Sequence, residues 1–249
     1  MRYVYQTDKG KVRELNEDAV AVFPGDTGLL AVVADGMGGH KAGDVASNLT
    51  IEQFEKLWSN VDSPINEIDT QKWLTDSIKQ VNNIVYEKAQ AEDAYQGMGT
   101  TVVAAICTER ELTVAHIGDS RAYLFNQTNW KQVTNDHSLV GELVRTGQLS
   151  EEDAQVHPKR NMILKALGTE FDLAPDIYRS DWNDFEQLLI CSDGLTNKIS
   201  DEELHELILT TPKEDISQTL IDIANERGGE DNITLTIISH QEKVGESSC

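Results

Sequence analysis

The chain has 249 residues, 39% of them hydrophobic and 26% charged, which supports a packed core and excludes a disordered chain. Its formal net charge of −22 comes from 21 Lys and Arg against 43 Asp and Glu. Such a balance repels nucleic acid and anionic membrane, so neither is an expected partner.

Apolar runs such as 29–34 and 188–191 are too short to cross a bilayer, and residues 1–8 contain no apolar signal core. A cytoplasmic protein without membrane insertion is expected. Residues 20–23 and 29–34 read as two strands joined by a turn at Pro24-Gly25-Asp26. Residues 43–57 read as a helix with Val45, Leu49 and Phe54 on one face, and 63–66 as a loop. A second helix fits 73–91, with Trp73, Ile78, Val81, Val85 and Ala89 on one side. The pattern then turns β-rich at 101–107, 112–117 and 121–125, with one more strand expected at 132–134. Short helices fit 139–144 and 151–155, the second opened by a capping box of Ser150 and Asp153. A strand at 188–191, amphipathic helices at 202–209 and 216–225, and a closing strand at 233–238 complete the pass.

Strands and helices do not alternate strictly, which argues against a doubly wound parallel sheet and for antiparallel sheets with helices outside. No linker or repeat divides the chain, so one domain over 1–240 is expected, followed by a flexible polar tail at 241–249. Nothing demands an oligomer, and a monomer is expected. Cys107, Cys191 and Cys249 lack the pairing or spacing of a disulfide framework or zinc site. Cys107 reads as a buried small hydrophobe. Cys191, two residues before Asp193, reads the same way, with a redox role as the alternative.

Asp35, Asp119, Asp193 and Asp231 each stand at the end or start of an apolar strand. Each alone is also a common turn signal. If the strand ends share one edge, four carboxylates meet there, and like charges cannot gather unpaired. No Lys or Arg run stands beside them, so divalent cations are the expected neutraliser, and oxygen-only ligands select magnesium, manganese or calcium. The loop from Asp35 to His40 is glycine-rich but fits neither a dinucleotide loop nor a P-loop. Its glycines let a main-chain carbonyl approach a metal. Arg13 beside such a centre would grip phosphate with its fork, or else be an ordinary surface arginine.

The ordered series Arg13-x-x-Asn16-Glu17-Asp18, Asp35-Gly36-Met37-Gly38-Gly39-His40, Gly99-Thr100-Thr101, Gly118-Asp119-Ser120-Arg121, Asp136-His137-Ser138, Ser192-Asp193-Gly194 and Gly229-Glu230-Asp231-Asn232-Ile233-Thr234 resembles the metal-dependent protein phosphatases of type 2C. The likeness covers about residues 8 to 238 and is nearest to compact bacterial members that oppose serine/threonine kinases. It implies an α+β fold, a four-layer α/β/β/α sandwich of two antiparallel sheets flanked by helices. It also implies hydrolysis of phosphoserine and phosphothreonine in proteins at a two-metal Mn2+ or Mg2+ centre with a possible weaker third ion.

By that resemblance Asp35 would bridge two metals, the Gly36 carbonyl would bind one, and Asp193 and Asp231 the other. Glu17 and Asp18 would hold waters of the outer shell, Asp119 with Asp193 would form the third site, and Arg13 would hold phosphate. Expected partners are phosphorylated proteins and a cognate kinase. Relatives in eukaryotes carry a histidine where Met37 stands, so the general acid is His40 or a water at the metals. His137 reads as structural in its turn, with catalysis as the alternative, and His116 as core. A basic stretch over 145–168, with Arg145, Lys159, Arg160 and Lys165, reads as a flap near the site or as plain solvation. Competing functions are a turnover-free binding module, a hydrolase of small phosphate esters and a cation store.

Overall fold

The structure is a computed structural model, and it describes residues 1–38, 42–61, 68–182 and 185–240. Its strands are β1 (Arg2–Asp8), β2 (Asp18–Gly25), β3 (Gly28–Met37), β4 (Gly99–Thr100), β5 (Val102–Thr108), β6 (Glu111–Ile117), β7 (Arg121–Phe125), β8 (Trp130–Gln132), β9 (Asp176–Asp181), β10 (Gln187–Cys191) and β11 (Ile233–Ser239). Its helices are α1 (Ala42–Ser59), α2 (Thr70–Ala91), α3 (Leu139–Arg145), α4 (Glu151–Val156), α5 (Asp193–Thr196), α6 (Asp201–Thr210) and α7 (Ile216–Glu226).

The strands form two antiparallel sheets. One is ordered β1-β11-β10-β7-β8 and the other β2-β3-β5-β6-β9, with β4 paired to β3. The two-residue side-chain period of a strand shows which face meets what. Leu30 and Val32 of β3, with Ala104 and Ile106 of β5, pack under Phe54 of α1 and Leu74, Ile78 and Val81 of α2. Their neighbours Leu29, Ala31, Val33, Val103 and Ala105 turn the other way, onto Ala122, Leu124, Leu188 and Ile190 of the second sheet. That sheet's outer face, with Tyr123, Leu189 and Leu235, is covered by Leu204 and Ile208 of α6 and Leu220 and Ile221 of α7. Three stacked apolar layers make the four-layer α/β/β/α sandwich. The central strands β3, β5 and β10 are buried on each face, which is why they read as unbroken apolar runs.

β1 and β9 were not expected. Each is a sheet edge that pairs on one side and has no fully buried residue, so it carries no unbroken apolar run. The strand expected at 132–134 lies earlier, at β8, and the Asp193-Gly194 turn is instead the first turn of α5. The loop at 63–66 and the tail at 241–249 lie outside the described residues. No helix among the described residues is long and apolar enough to cross a membrane.

Candidate metal centre

Strand pairing brings the expected aspartates to one end of the sandwich. Asp18 and Asp35 stand opposite each other where β2 begins and β3 ends. The Thr101 amide donates to the Asp35 carbonyl at 2.8 Å, which aligns the start of β5 with them. Val102 pairs with Ile117, so the turn carrying Asp119 leaves β6 at the same end. In the other sheet Cys191 pairs with Arg121, and the Ser192 amide donates to the Thr234 carbonyl at 3.0 Å, placing Asp193 beside Asp231 and Asn232.

Local chemistry fixes each carrier. A Cβ on Gly36 would lie 2.1 Å from the Gly43 carbonyl oxygen and 2.5 Å from that of Glu17, so only glycine lets these three backbones meet. The Gly36 amide donates to that Glu17 carbonyl at 3.0 Å. Asn232 staples the loops around it. Its Oδ1 accepts from the Glu17 amide at 2.7 Å, and its Nδ2 donates to the carbonyls of Lys9 at 2.8 Å and Leu15 at 3.0 Å. Ser192 donates to Asp18 Oδ2 at 2.7 Å. Thr101 Oγ1 accepts from the Asp35 amide at 3.0 Å and shares a 2.7 Å hydrogen bond with Ser120 Oγ, next to Asp119. Asn232, Ser192 and Thr101 stand within the ordered motifs, but no role follows for them from the sequence. A hydroxyl or amide that bonds a residue 66 to 223 positions away carries no periodic signal.

Burial and mutual repulsion raise the carboxyl pKa values. Asp18 is pushed up to about 7 by burial first, with the charges of Asp193 and Asp231 adding, while hydrogen bonds from Ser192 and Thr234 oppose the rise. Asp119 reaches about 7 through burial and then Asp193. Asp35 rises well above the carboxylate range through burial, then Asp18, Asp193, Asp119 and Asp231. Asp193 is raised by burial and then Asp231, and Glu17 by burial. Asp119 Oδ1 is buried without a hydrogen-bond partner among the described residues. Glu17 Oε1 is likewise buried and lacks a hydrogen bond of ordinary geometry, with the Gly43 backbone beside it. Crowded carboxylates, raised pKa values and an orphaned buried oxygen fit a hard divalent cation in their midst.

No Lys or Arg run stands beside these aspartates, as expected, but two single arginines do. Arg13 Nη2 donates to Asp231 Oδ2 at 2.8 Å, and Nη1 lies 3.8 Å from Glu17 Oε2, so its guanidinium sits at the rim of the cluster. Arg121 clasps Asp136 with Nε and Nη2, the latter at 2.7 Å, and its charge partly opposes the rise of the Asp119 and Asp193 pKa values. Two cations do not balance six carboxylates.

His40 lies outside the described residues. His116 is buried, as expected, and its ring stacks on His137 with centroids 4.7 Å apart and planes 16° from parallel. His116, His137 and Asp176 offer atoms within 4.8 Å of one another, the reach of a metal site. The ring bonds speak otherwise. His116 Nε2 donates to the Asn135 carbonyl at 2.9 Å, and His137 Nδ1 accepts from the Gly118 amide at 3.1 Å. Lone pairs in two nearly parallel rings do not converge on one ion, so this cluster is a stack rather than a chelate. Cys107 and Cys191 are buried and unpaired, and burial raises both thiols far above the range where a thiolate forms, so the redox alternative for Cys191 falls away.

The stretch 145–168 contains the expected short helix as α4, opened by Ser150 accepting from the Asp153 amide at 3.1 Å. Lys159, Arg160 and Lys165 are exposed, as are Val156, Met162 and Leu164. Arg145 instead pairs with Glu142 at 2.6 Å and is no free cation.

A family model described as protein phosphatase 2C matches residues 7–228. Serine/threonine phosphatase stp of Listeria welshimeri is 40% identical over 242 residues, covering 96% of this chain and 95% of the relative. Serine/threonine phosphatase Stp1 from Staphylococcus aureus superposes with a TM-score of 0.91 at 38% identity, over 96% of this chain and 95% of that one. The catalytic domain of the phosphatase PstP, solved in complex with two manganese ions, superposes with a TM-score of 0.81 at 33% identity, over 95% and 96% of the two chains.

Proposed function

The chain belongs to the protein phosphatase 2C family, and we propose on that footing that it hydrolyses phosphoserine and phosphothreonine in proteins at a two-metal centre built on Asp35, Gly36, Asp193 and Asp231. The observation that carries the reading is the convergence of Asp18, Asp35, Asp119, Asp193 and Asp231 at one end of the sandwich, with Asp119 Oδ1 buried and unpartnered. Manganese or magnesium, when bound, would supply Lewis acidity and an activated water for in-line attack on phosphorus. Asp35, the Gly36 carbonyl, Asp193 and Asp231 would hold the two ions. Glu17 and Asp18 would orient waters of the outer shell, and Asp119 would join Asp193 at a weaker third position.

Arg13 stands at the rim on Asp231, from where its fork can turn to the phosphate oxygens and set them in line. The proton for the leaving serine oxygen would come from His40 or from a water. Substrates would be phosphoproteins, a cognate kinase among them, met by a cytoplasmic, monomeric enzyme of one catalytic domain. The 145–168 segment would act as a flap whose exposed Lys159 and Arg160 meet the phosphopeptide.

The test is hydrolysis of a phosphothreonine peptide by chelated protein given manganese, magnesium, calcium or nothing, beside Asp193→Ala. Activity restored by manganese and lost in the variant is expected. A folded protein inactive with every metal would favour the binding-module reading instead. Equal turnover of sugar phosphates would favour the small-ester hydrolase.

A further inference from the structure

We propose that His137 is a positioning residue that joins the flap to Asp119, an inference that rests on the reading of Asp119 as a ligand of the weaker third ion. His137 holds Gly118 from both sides. Its amide donates to the Gly118 carbonyl at 2.9 Å, and its Nδ1 accepts from the Gly118 amide at 3.1 Å. Gly118 has φ +110°, and a Cβ there would lie 2.6 Å from the Thr101 side chain, so the turn is wedged between Thr101 and His137. Ser120, after Asp119, is tied to Thr101. Asp119 Oδ1 has no hydrogen bond among the described residues. The direction of that carboxylate is therefore set by the backbone of its turn, which Thr101 holds on one side and His137 on the other.

The same residue receives the flap. The Leu164 amide donates to the His137 carbonyl at 2.7 Å, Ser138 bridges to Ile163, and the Leu139 amide donates to the Met162 carbonyl at 2.8 Å. The returning segment of the flap thus bonds to the residue whose ring and amide clasp the Asp119 turn. Because Nδ1 accepts the Gly118 N–H, the ring proton sits on Nε2, which faces Asp176 Oδ2 at 3.5 Å. The stack on His116 fixes the ring plane.

The geometry separates two substitutions. Asparagine can place an acceptor where Nδ1 stands and keep the clasp, whereas glutamine places its amide near Nε2 and loses it. The experiment is calorimetric titration of the chelated full-length chain with manganese, together with far-UV circular dichroism. His137→Gln should weaken the weakest manganese equivalent about 10-fold and leave the tighter ones unchanged. His137→Asn should bind as the parent does. A role in folding alone would lower the melting temperature of both variants without touching one equivalent selectively.

Asp119→Asn separates the layers of the argument. If it loses the weakest equivalent while His137→Gln keeps it, the proposal is overturned and the reading of Asp119 stands. If Asp119→Asn keeps every equivalent, the reading of Asp119 fails and the proposal with it. Should His137→Gln not fold, Leu164→Pro removes the flap's N–H to the His137 carbonyl at an exposed side chain. It should weaken the same equivalent, and unchanged binding would overturn the link to the flap.

Discussion

The Ser192 hydroxyl donates to Asp18 Oδ2 at 2.7 Å and so ties the end of β10 in one sheet to the start of β2 in the other. The same Oγ accepts from the Thr234 amide at 3.0 Å, so one small side chain serves three strands at the acidic end. Ser192→Ala leaves a buried carboxylate oxygen and an amide without their partner, a loss of about 1–3 kcal/mol. Manganese affinity and kcat/KM are expected to fall roughly 10-fold, since Asp18 loses its orientation. Titration with manganese and steady-state kinetics on a phosphopeptide check this, and a variant equal to the parent in both would refute the role.

Asp35 is half-buried among four other aspartates, and its charge opposes folding when no cation answers it. Asp35→Asn is therefore expected to raise the melting temperature of the chelated protein and to remove the further rise that manganese gives the parent. Activity should drop at least about 100-fold. Thermal melts with and without EDTA read both effects together. A lower melting temperature for the chelated variant would show that Asp35 stabilises the fold by itself.

Asp18 and Asp119 have folded-state pKa values pushed up to about 7 from the ordinary 3.8. Between about pH 4 and pH 7 the folded protein keeps protons that the unfolded chain has released, so stability is lost as pH rises through that window. Chelated protein should melt on the order of 5–10 °C lower at pH 8 than at pH 5. Manganese binds the ionised carboxylates, so saturating metal should reverse the trend. Scanning calorimetry at the two pH values decides it, and a chelated protein more stable at pH 8 would contradict the raised values.

Lys159 and Arg160 are exposed in a segment that also exposes Val156, Met162 and Leu164 on a chain of net charge −22. Neutralising both to glutamine is expected to raise KM for a phosphopeptide roughly 3- to 10-fold, a loss of about 1 kcal/mol, while KM for a small aryl phosphate stays put. Kinetics on the two substrates side by side test the flap, and equal effects on both would place these charges outside peptide recognition.

Much of the fold was legible in the chain because buried strands and amphipathic helices write their environment into residue spacing. β3 and β10 stood out as apolar runs, and α2 and α7 as one-sided helices. The aspartates at strand ends, and the argument that several carboxylates in one place demand a cation, also needed no coordinates. What the chain could not show was which ends meet. Asp18 faces Asp35, and Asp193 stands beside Asp231, only because the strand registers and the stacking of two sheets put them there. The edge strands β1 and β9 escaped notice because half their residues face water. The roles of Asn232, Thr101, Ser192 and His137 rest on a few hydrogen bonds each, to residues 19 to 223 positions away. Periodicity records which face of an element is buried, but contacts of that kind exist only once the chain has closed on itself.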